Sequence, residues 1–331
     1  MAADLDRRAY DLLRLIDGNG PIGSIRLVDL MQQRGYSIKG RTIRLLLSDL
    51  DEAGLTTKVP GKGRRLTDAG RHELRRGDVT GRLQQIRERI SVLTSQVTYD
   101  PTEHAGELVT CVAYVEPENA DRVFDLLERL SSSRLGPVLV AADRDDDRLR
   151  LAFPSSITLD GILLSHGISV DLLTAGLVEY VPDGDGITRY VDTLSGEGST
   201  MDAVSLLIEA DRTDVTPVLD DDTGLLIVDA REFPLPRFAE GRDLSVATQE
   251  RLGGVVDIAR PREAGPFPTG EPGWEFASLT YAGVGETALA LLYEQSLLDE
   301  WESLAGPRPA SVFEPVPVVR AALTEGGRAA E

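Results

Sequence analysis

The clearest chemical pattern in the sequence is a run of basic and hydroxyl side chains within residues 35–55, GYSIKGRTIRLLLSDLDEAGL. Ile43, Leu46, Leu47 and Leu50 fall at helical spacing, so they predict the buried face of a helix. Arginines at the start of a helix can bind guanine edges in the major groove, while polar neighbours bind phosphates and an exposed leucine meets a thymine methyl group. The remaining faces therefore predict these DNA contacts: Lys39, Arg41, Thr42, Arg44, Leu45 and Ser48.

The elements that must position this helix can be read on both sides of it. Two helical patterns precede it, LDRRAYDLLRLIDGNG and, with Ser24 as N-cap, SIRLVDLMQQRG. Two short strands follow at 55–59 and 64–66 around the turn PGKG, and Thr67 caps another helix. This order predicts a winged helix-turn-helix, and its wing would bind phosphates through Lys58, Lys62, Arg64 and Arg65. The alternative is a winged helix that serves protein contacts only.

The formal charge of −20 is spread unevenly over the 331 residues. Residues 1–90 hold 18 Lys and Arg against 12 Asp and Glu, whereas the rest holds 17 basic and 43 acidic residues. This asymmetry predicts a segment that faces nucleic acid, joined to a solvated acidic body. All three lysines lie within residues 1–90, and abundant Asp with Arg in place of Lys resembles haloarchaeal proteins. We therefore interpret the acidity of the body as a solubility device.

A narrow apolar stripe follows the winged helix. Its members are separated by 3, 4, 3 and 4 residues, which is the a/d spacing of a two-heptad coiled-coil seam. The stripe consists of Leu83, Ile86, Ile90, Leu93 and Val97. It predicts a homodimer that presents two recognition helices to a two-fold DNA site, and the alternative is packing on the protein's own body. The predicted boundaries are 1–78 for the winged helix, 79–99 for the linker helix, 100–318 for a regulatory domain and 319–331 for a tail.

The acidic body repeats a strand-then-helix unit that begins near residues 108, 187 and 276. Between these units, LRLAFPSSITLDGILLSHGISVDLLTAGLVEYV and GLLIVDAREFPLPRFAEGRDLSVATQERLGGVVDIARP also resemble each other. Each opens with a strand and closes with a strand that contains glycine. The predicted fold class is α+β: a winged helix, a short linker helix and a regulatory domain made of two related halves.

Motifs of common enzyme and cofactor sites are absent from the sequence. It has no P-loop, no G-x-S-x-G elbow and no HExxH, and its three histidines are scattered. Cys111 is the only cysteine, and in LVTCVAYV it reads as a buried strand residue. No apolar run is long enough to span a membrane, and the N-terminus lacks a signal peptide. We therefore expect a cytoplasmic protein that is not an enzyme and holds no cofactor or metal.

One stretch of the body could still bind a ligand. In FPSSITLDGILLSHGI, Ser155, Ser156 and Thr158 cluster at a strand end, where hydroxyl and backbone N–H groups can bind a small anion. An anionic metabolite in so acidic a body needs a guanidinium nearby, for which Arg231 and then Arg189 are the candidates. The alternative is a turn that caps its own helix.

Taken together, these motifs resemble the NrpR-like archaeal repressors of nitrogen-assimilation genes. The likeness is carried by the winged helix and by SSITLDGILLSHGIS, AGLVEY, GEGSTMDAVSLLI, DAREFP and GGVVDIARP. The resemblance implies a homodimeric repressor that binds a palindromic operator in double-stranded DNA, with 2-oxoglutarate binding the body and relaxing DNA affinity. The chain departs from the family pattern at Phe153-Pro154-Ser155, where relatives tend to have a cysteine before the serine, and at Ala175-Gly176. Two other functions stay open: a DNA-associated scaffold that senses nothing, and an enzyme with an appended winged helix.

Overall fold

The computed structural model describes residues 7–33, 38–77, 89–145, 147–184, 186–195, 203–263, 265–268, 272–298 and 300–328. The chain divides into two compact units, residues 1–83 and 84–331. Within the described ranges, every helix is too short or too polar to cross a membrane.

The first unit is a winged helix, as predicted. Its elements are α1 (Arg7–Asn19), α2 (Ser24–Gln33), α3 (Gly40–Glu52), β1 (Thr56–Val59), β2 (Gly63–Leu66) and α4 (Asp68–Gly77). The apolar faces of the first three helices meet in one core, where Leu12, Leu27, Ile43 and Leu47 are fully buried. Burial of these faces fixes which side of α3 faces solvent, because rotation of the helix about its own axis would expose its buried leucines.

The wing is a short antiparallel hairpin with a third strand segment beside it. Lys58 of β1 lies opposite Arg64 of β2. The Ile22 and Arg64 backbones exchange two N–H to C=O hydrogen bonds, each 2.9 Å long. Gly63 has φ of +111°, and a Cβ there would overlap the carbonyl of Ile22. Only glycine therefore lets the wing pack this closely.

The second unit contains two mixed layers of sheet and helix. Its first part comprises the linker helix α5 (89–96), β3 (Glu107–Val115), α6 (Ala120–Ser132), β4 (Leu139–Asp145), β5 (Arg148–Pro154) and α7 (Ile157–Ser165). The middle comprises β6 (Asp171–Val181), β7 (Gly186–Ser195), α8 (Ala203–Glu209), β8 (Gly224–Pro234), α9 (Phe238–Leu252) and β9 (Val255–Ala259). The last part comprises β10 (Phe276–Ala282), α10 (Val284–Glu294), β11 (Glu300–Glu302), β12 (Pro307–Pro309), β13 (Glu314–Pro315) and α11 (Val316–Arg328).

In the described part of the second unit, the strands form two antiparallel sheets. One has the order β7-β6-β8-β10-β9, and the other has the order β11-β3-β5-β4-β13, with β12 also paired to β3. The largest apolar cluster joins both sheets through α6 and α10, and it includes Phe124, Leu151, Ile227 and Leu289. Cys111 is buried in β3, as predicted. The α+β class is thereby confirmed.

The structure corrects which segments of the two halves match. The unit β3-α6-β4-β5-α7 corresponds to β8-α9-β9-β10-α10, since both give a strand, a helix, two strands and a helix. The strand orders agree as well, β3-β5-β4 in one sheet and β8-β10-β9 in the other. The sequence had paired the segment of β8, α9 and β9 with that of β5, α7 and β6 instead. The similar apolar patterns of these buried segments do not specify which strands pair.

The linker helix α5 packs on the second unit itself. Leu93 and Val97 are buried in a cluster with residues of β3 and α7, and Ile90 is half-buried beside it. This corrects the expectation of a free dimer seam at Leu93 and Val97, because their apolar surface is already covered by the same chain. Leu83 and Ile86 lie outside the described residues.

Candidate functional site

The outer surface of α3 carries the side chains that the sequence assigned to DNA. Ile43, Leu47 and Leu50 are buried on the opposite face. The six predicted contact residues are all exposed: Lys39, Arg41, Thr42, Arg44, Leu45 and Ser48. Leu45 exposes 57% of its surface, although it is apolar and sits in the middle of a helix. A helix face that is cationic at its start and carries one exposed leucine suits base edges and methyl groups in a major groove.

Three of the four predicted wing residues are also exposed, namely Lys58, Lys62 and Arg65. Arg64 differs, because it is half-buried and its Nε donates to Asp51 Oδ2 of α3 at 2.9 Å. The other Asp51 oxygen accepts from the Thr56 hydroxyl at 2.6 Å. This corrects the assignment of Arg64 as a DNA contact: its guanidinium fixes the wing to α3.

The second unit holds a buried polar cluster at the junction of its two halves. It consists of Ser155, Ser156, Asp160, Asp229, Arg231 and Glu286, which we call the polar cluster. Ser155 and Ser156 connect β5 to α7, Asp160 lies one turn into α7, and Asp229 and Arg231 lie two apart on β8. Glu286 is in the first turn of α10, so the starts of two corresponding helices meet here.

Arg231 is the centre of the polar cluster. Its side chain is completely buried, and its Nε and Nη2 donate to the two oxygens of Asp160, the second at 3.1 Å. Nη2 also lies 3.3 Å from Asp229 Oδ2. Burial alone would lower the pKa of Arg231, but Asp160 and Asp229 outweigh it and raise the pKa. The guanidinium is therefore already paired with the chain's own carboxylates, and a ligand anion at Arg231 would have to replace one of them.

Glu286 caps the start of α7. Its Oε1 accepts from the Ser155 hydroxyl at 2.7 Å and from the Ser156 N–H at 2.9 Å. The Ser156 hydroxyl in turn donates to Asp229 Oδ2 at 2.6 Å. A Cβ at Gly283 would come 3.0 Å from Ser156 Cβ, so the lack of a side chain there permits the approach of α10. Burial raises the pKa of Glu286, and the hydrogen bond from Ser155 offsets part of that effect.

The structure brings Ser155, Ser156 and Arg231 together but places the other predicted effector residues elsewhere. The Thr158 hydroxyl bonds the Val109 backbone of β3, with both the N–H and the C=O at 3.1 Å. Arg189 lies on edge strand β7, where its Nη2 donates to Glu179 at 2.7 Å and 60% of its side chain is exposed. Thr158 and Arg189 therefore act in separate local contacts.

Sequence reasoning missed the three carboxylates Asp160, Asp229 and Glu286. A usable signal existed for two of them, because Asp160 in ITLDGILL and Glu286 in VGETALALL are lone acids within apolar helical stretches. An acid at such a position must be paired or neutral when it is buried. Their partners could not be read from the sequence, since they come from three separate segments.

A small cavity of about 40 Å³ adjoins the polar cluster. Its polar lining comes from Ser156, Asp229, Glu286 and Ser303, and Ile90 of α5 is part of its apolar lining. A second cavity of about 370 Å³ lies next to Asp160 and is also lined by Ile90. Among the described residues, no group of His, Cys, Asp and Glu is arranged to hold a metal ion. These cavities present hydroxyl groups and carboxylates to a ligand, and the buried guanidinium of Arg231 lies in the adjoining polar cluster.

Two family models match the chain. A model of the NrpR regulatory domains NRD1 and 2 matches residues 83–265. A model of the ribonuclease R winged-helix domain matches residues 4–74. The first match spans α5, α6, α7 and most of the polar cluster, and the second spans the winged helix from α1 to most of α4.

Similar proteins and structures agree with these matches. The chain is 26% identical over 289 residues to the Global nitrogen regulator NrpRI of Methanosarcina mazei, covering 82% of this chain and 88% of that protein. It is 27% identical over 234 residues to the Global nitrogen regulator NrpR of Methanocaldococcus jannaschii, covering 70% of this chain but 42% of that longer protein. The crystal structure of a nitrogen repressor-like protein from Methanococcus jannaschii has the same fold, with a TM-score of 0.57, 19% identity, and coverage of 69% of this chain and 97% of that chain. Because the NrpR regulatory-domain model matches more than half of its residues, the chain belongs to the NrpR family.

Proposed function

We propose that the protein is a homodimeric transcriptional repressor that binds double-stranded DNA, controls nitrogen-assimilation genes and responds to an anionic metabolite such as 2-oxoglutarate. The observation that carries the proposal is the exposed outer face of α3, with Arg41, Arg44 and Leu45 opposite the buried stripe. The names of the similar proteins support nitrogen regulation as the input. A repressor of this kind works in the cytoplasm, where the genes are.

The DNA arm of the proposal is tested with the full chain and promoter DNA at the salt concentration of the cell. Arg41→Ala should weaken binding and relax sequence preference, because one base-edge contact contributes about 1–3 kcal/mol. Arg242→Ala is the matched control, since Arg242 is an exposed arginine on α9 of the body. Equal losses in both variants, or none in either, would contradict recognition by α3.

The homodimer is tested separately by light scattering of the full chain. The described part of α5 offers a partner Ile90, which is half-buried, and Val92, which exposes 54% of its surface. A two-fold pair would place two winged helices on half-sites about one DNA turn apart. A monomer at all concentrations would remove this part of the proposal.

The effector arm starts from the charges of the polar cluster. Asp229 occupies the hydrogen-bonding positions that a ligand carboxylate would need, one at the Ser156 hydroxyl and one at Arg231 Nη2. We expect a carboxylate of 2-oxoglutarate to take these positions while Asp229 moves away, because a second anion beside Asp229 would be repelled. Asp229→Asn should therefore bind 2-oxoglutarate more tightly, whereas Asp171→Asn, an exposed acid on β6, should not.

Thermal shifts in 2-oxoglutarate separate this function from its two rivals. A ligand at 100 times its Kd stabilises the folded state by about 2.7 kcal/mol. A scaffold that senses nothing would show no shift with any dicarboxylate while still binding DNA. An enzyme with an appended winged helix would turn over a substrate, and that activity would be lost in Ser156→Ala.

A further inference from the structure

The helix α7 is buried on two opposite sides by different partners. Ile157 and Ile162 pack in one apolar cluster with Leu93 and Val97 of the linker segment. Leu159 and Leu163 pack in a different cluster with residues of β8 and β10. A helix held this way transmits a displacement from one side to the other, because close-packed interiors have little room to absorb strain.

Two adjacent residues of α7 make the decisive contacts. Asp160 is tied to Arg231 in the polar cluster by two hydrogen bonds. Gly161 faces the linker segment, where a Cβ would come 2.5 Å from Val97 Cγ2 and 2.8 Å from the Thr94 carbonyl oxygen. The linker backbone therefore rests directly on the α7 backbone, and only a glycine permits that approach.

The linker helix also has space into which it can move. Ile90 lines both the cavity of about 40 Å³ beside the polar cluster and the cavity of about 370 Å³ beside Asp160. Ser303 also lines the smaller cavity and is 5% exposed. This unfilled volume gives the Ile90 side chain room to shift together with α5.

We infer that α7 couples the polar cluster to the linker helix. Asp160 contacts Arg231 of the cluster, and Gly161 contacts the linker segment at the end of α5. When Arg231 changes its carboxylate partners, Asp160 shifts, and the Gly161 contact passes the shift to the Thr94–Val97 segment. The inference rests on the proposed function only for its effect on DNA binding, because α5 follows the winged helix in the sequence. It identifies Gly161 as a positioning residue that touches neither DNA nor ligand.

The test measures hydrogen exchange of the backbone amides of residues 89–97 in the full chain without DNA or ligand. Gly161→Ala should speed exchange in this segment by at least about fivefold, because an added methyl group overpacks a close contact and destabilises it. The matched control is Gly306→Ala, because a Cβ at Gly306 meets nothing within 4 Å. The amides of β3 serve as the folding reference and should exchange as in the wild type.

The second part of the test changes Arg231, a residue of the polar cluster that lines neither cavity beside α5. Arg231→Lys keeps the charge but loses the paired bonds to Asp160, so it should also speed exchange in residues 89–97. Arg189→Lys on the exposed edge is its control. In the double variant Arg231→Lys with Gly161→Ala, exchange should match Gly161→Ala alone, because both changes act through one contact.

Three results would overturn the coupling: wild-type exchange in Gly161→Ala, wild-type exchange in Arg231→Lys, or additive effects in the double variant. If Gly161→Ala also exposes the β3 amides, the comparison of Arg231→Lys with Arg189→Lys decides the coupling. Failure of the wild type to bind operator DNA would refute the proposed function instead, and the exchange data would still decide the coupling.

Discussion

Replacing Arg231 with methionine should destabilise the second unit strongly. The side chain is completely buried and pairs with Asp160 and Asp229, while the carboxylate of Glu286 lies in the same cluster. Methionine keeps most of the volume but leaves the carboxylates without a cation. Removing one partner of a buried ion pair costs about 3–5 kcal/mol, because an uncompensated charge remains in a dry site.

This cost can be read as a melting temperature of the second unit alone. Both tryptophans, Trp274 and Trp301, lie in that unit, so their fluorescence does not follow the winged helix. For a unit of this size, each kcal/mol shifts the melting temperature by about 2–4 °C, which gives a loss of about 6–20 °C for Arg231→Met. Arg189→Met is the matched control, since Arg189 pairs with Glu179 from the exposed edge strand β7 and such pairs contribute about 0–1 kcal/mol.

Adding Asp160→Asn to Arg231→Met tests the cause of the loss. If the unpaired carboxylate is responsible, the double variant should recover roughly 1–3 kcal/mol, the usual size of coupling between residues in contact. A melting temperature for Arg231→Met within the range of Arg189→Met would refute the reasoning, because it would mean that the buried charges are not ionised or not paired.

Further predictions concern the DNA face, the wing and the buried acid. Arg44→Ala should cost about 1–3 kcal/mol of operator affinity and relax sequence preference, whereas Lys62→Ala should weaken all sequences alike; competition with scrambled DNA distinguishes them. Arg64→Ala should lower the melting temperature of the winged helix and leave the salt dependence of DNA binding unchanged, because its partner is Asp51 and not a phosphate; a reduced salt slope would contradict this. Glu286→Gln should remove one pH dependence of stability. Because burial raises the pKa of Glu286, the contribution of this carboxyl group to the free energy of unfolding is fully present below its ordinary pKa. That contribution is lost as pH rises through the raised value. Melting curves of both proteins across that range should diverge by up to about 1.4 kcal/mol per pH unit, and parallel curves would refute the buried carboxyl as their cause.

The acidic body has a physical consequence for DNA binding. Residues outside 1–90 carry 43 acids against 17 basic residues, and DNA is itself a polyanion. At molar salt the Debye length is about 3 Å, so this repulsion is screened, but the gain from counterion release on phosphates is reduced as well. Base-edge and apolar contacts such as Leu45 must then supply more of the affinity.

The winged helix could be predicted almost completely because its signals are local. Helical spacing, the N-cap Thr67, the turn PGKG and the side chains on the free face of α3 all lie within short windows. Arg64 is the exception, since its role depends on Asp51, which is 13 positions away in another element. Exposed basic residues and a half-buried one look the same in sequence.

The linker stripe shows a second limit of periodicity. A 3-4 spacing states that one helix face is buried, but it does not state what buries it. Leu93 and Val97 are covered by β3 and α7 of the same chain, because Gly161 lets the linker approach that closely. A glycine in an apolar helix gave no sign of this contact in the sequence.

By itself, the sequence determined the order of helices and strands in the winged helix, the cationic head on an acidic chain, and the serines that follow β5. Those features follow from side-chain chemistry and spacing within one segment. Only the tertiary structure decided that Arg231 forms ion pairs with Asp160 and Asp229, and that Glu286 caps α7 from the other half of the unit. The reason is physical: the pairing of a buried charge depends on which segments the folded core brings within hydrogen-bonding distance, and β5, β8 and α10 meet only when both sheets have formed.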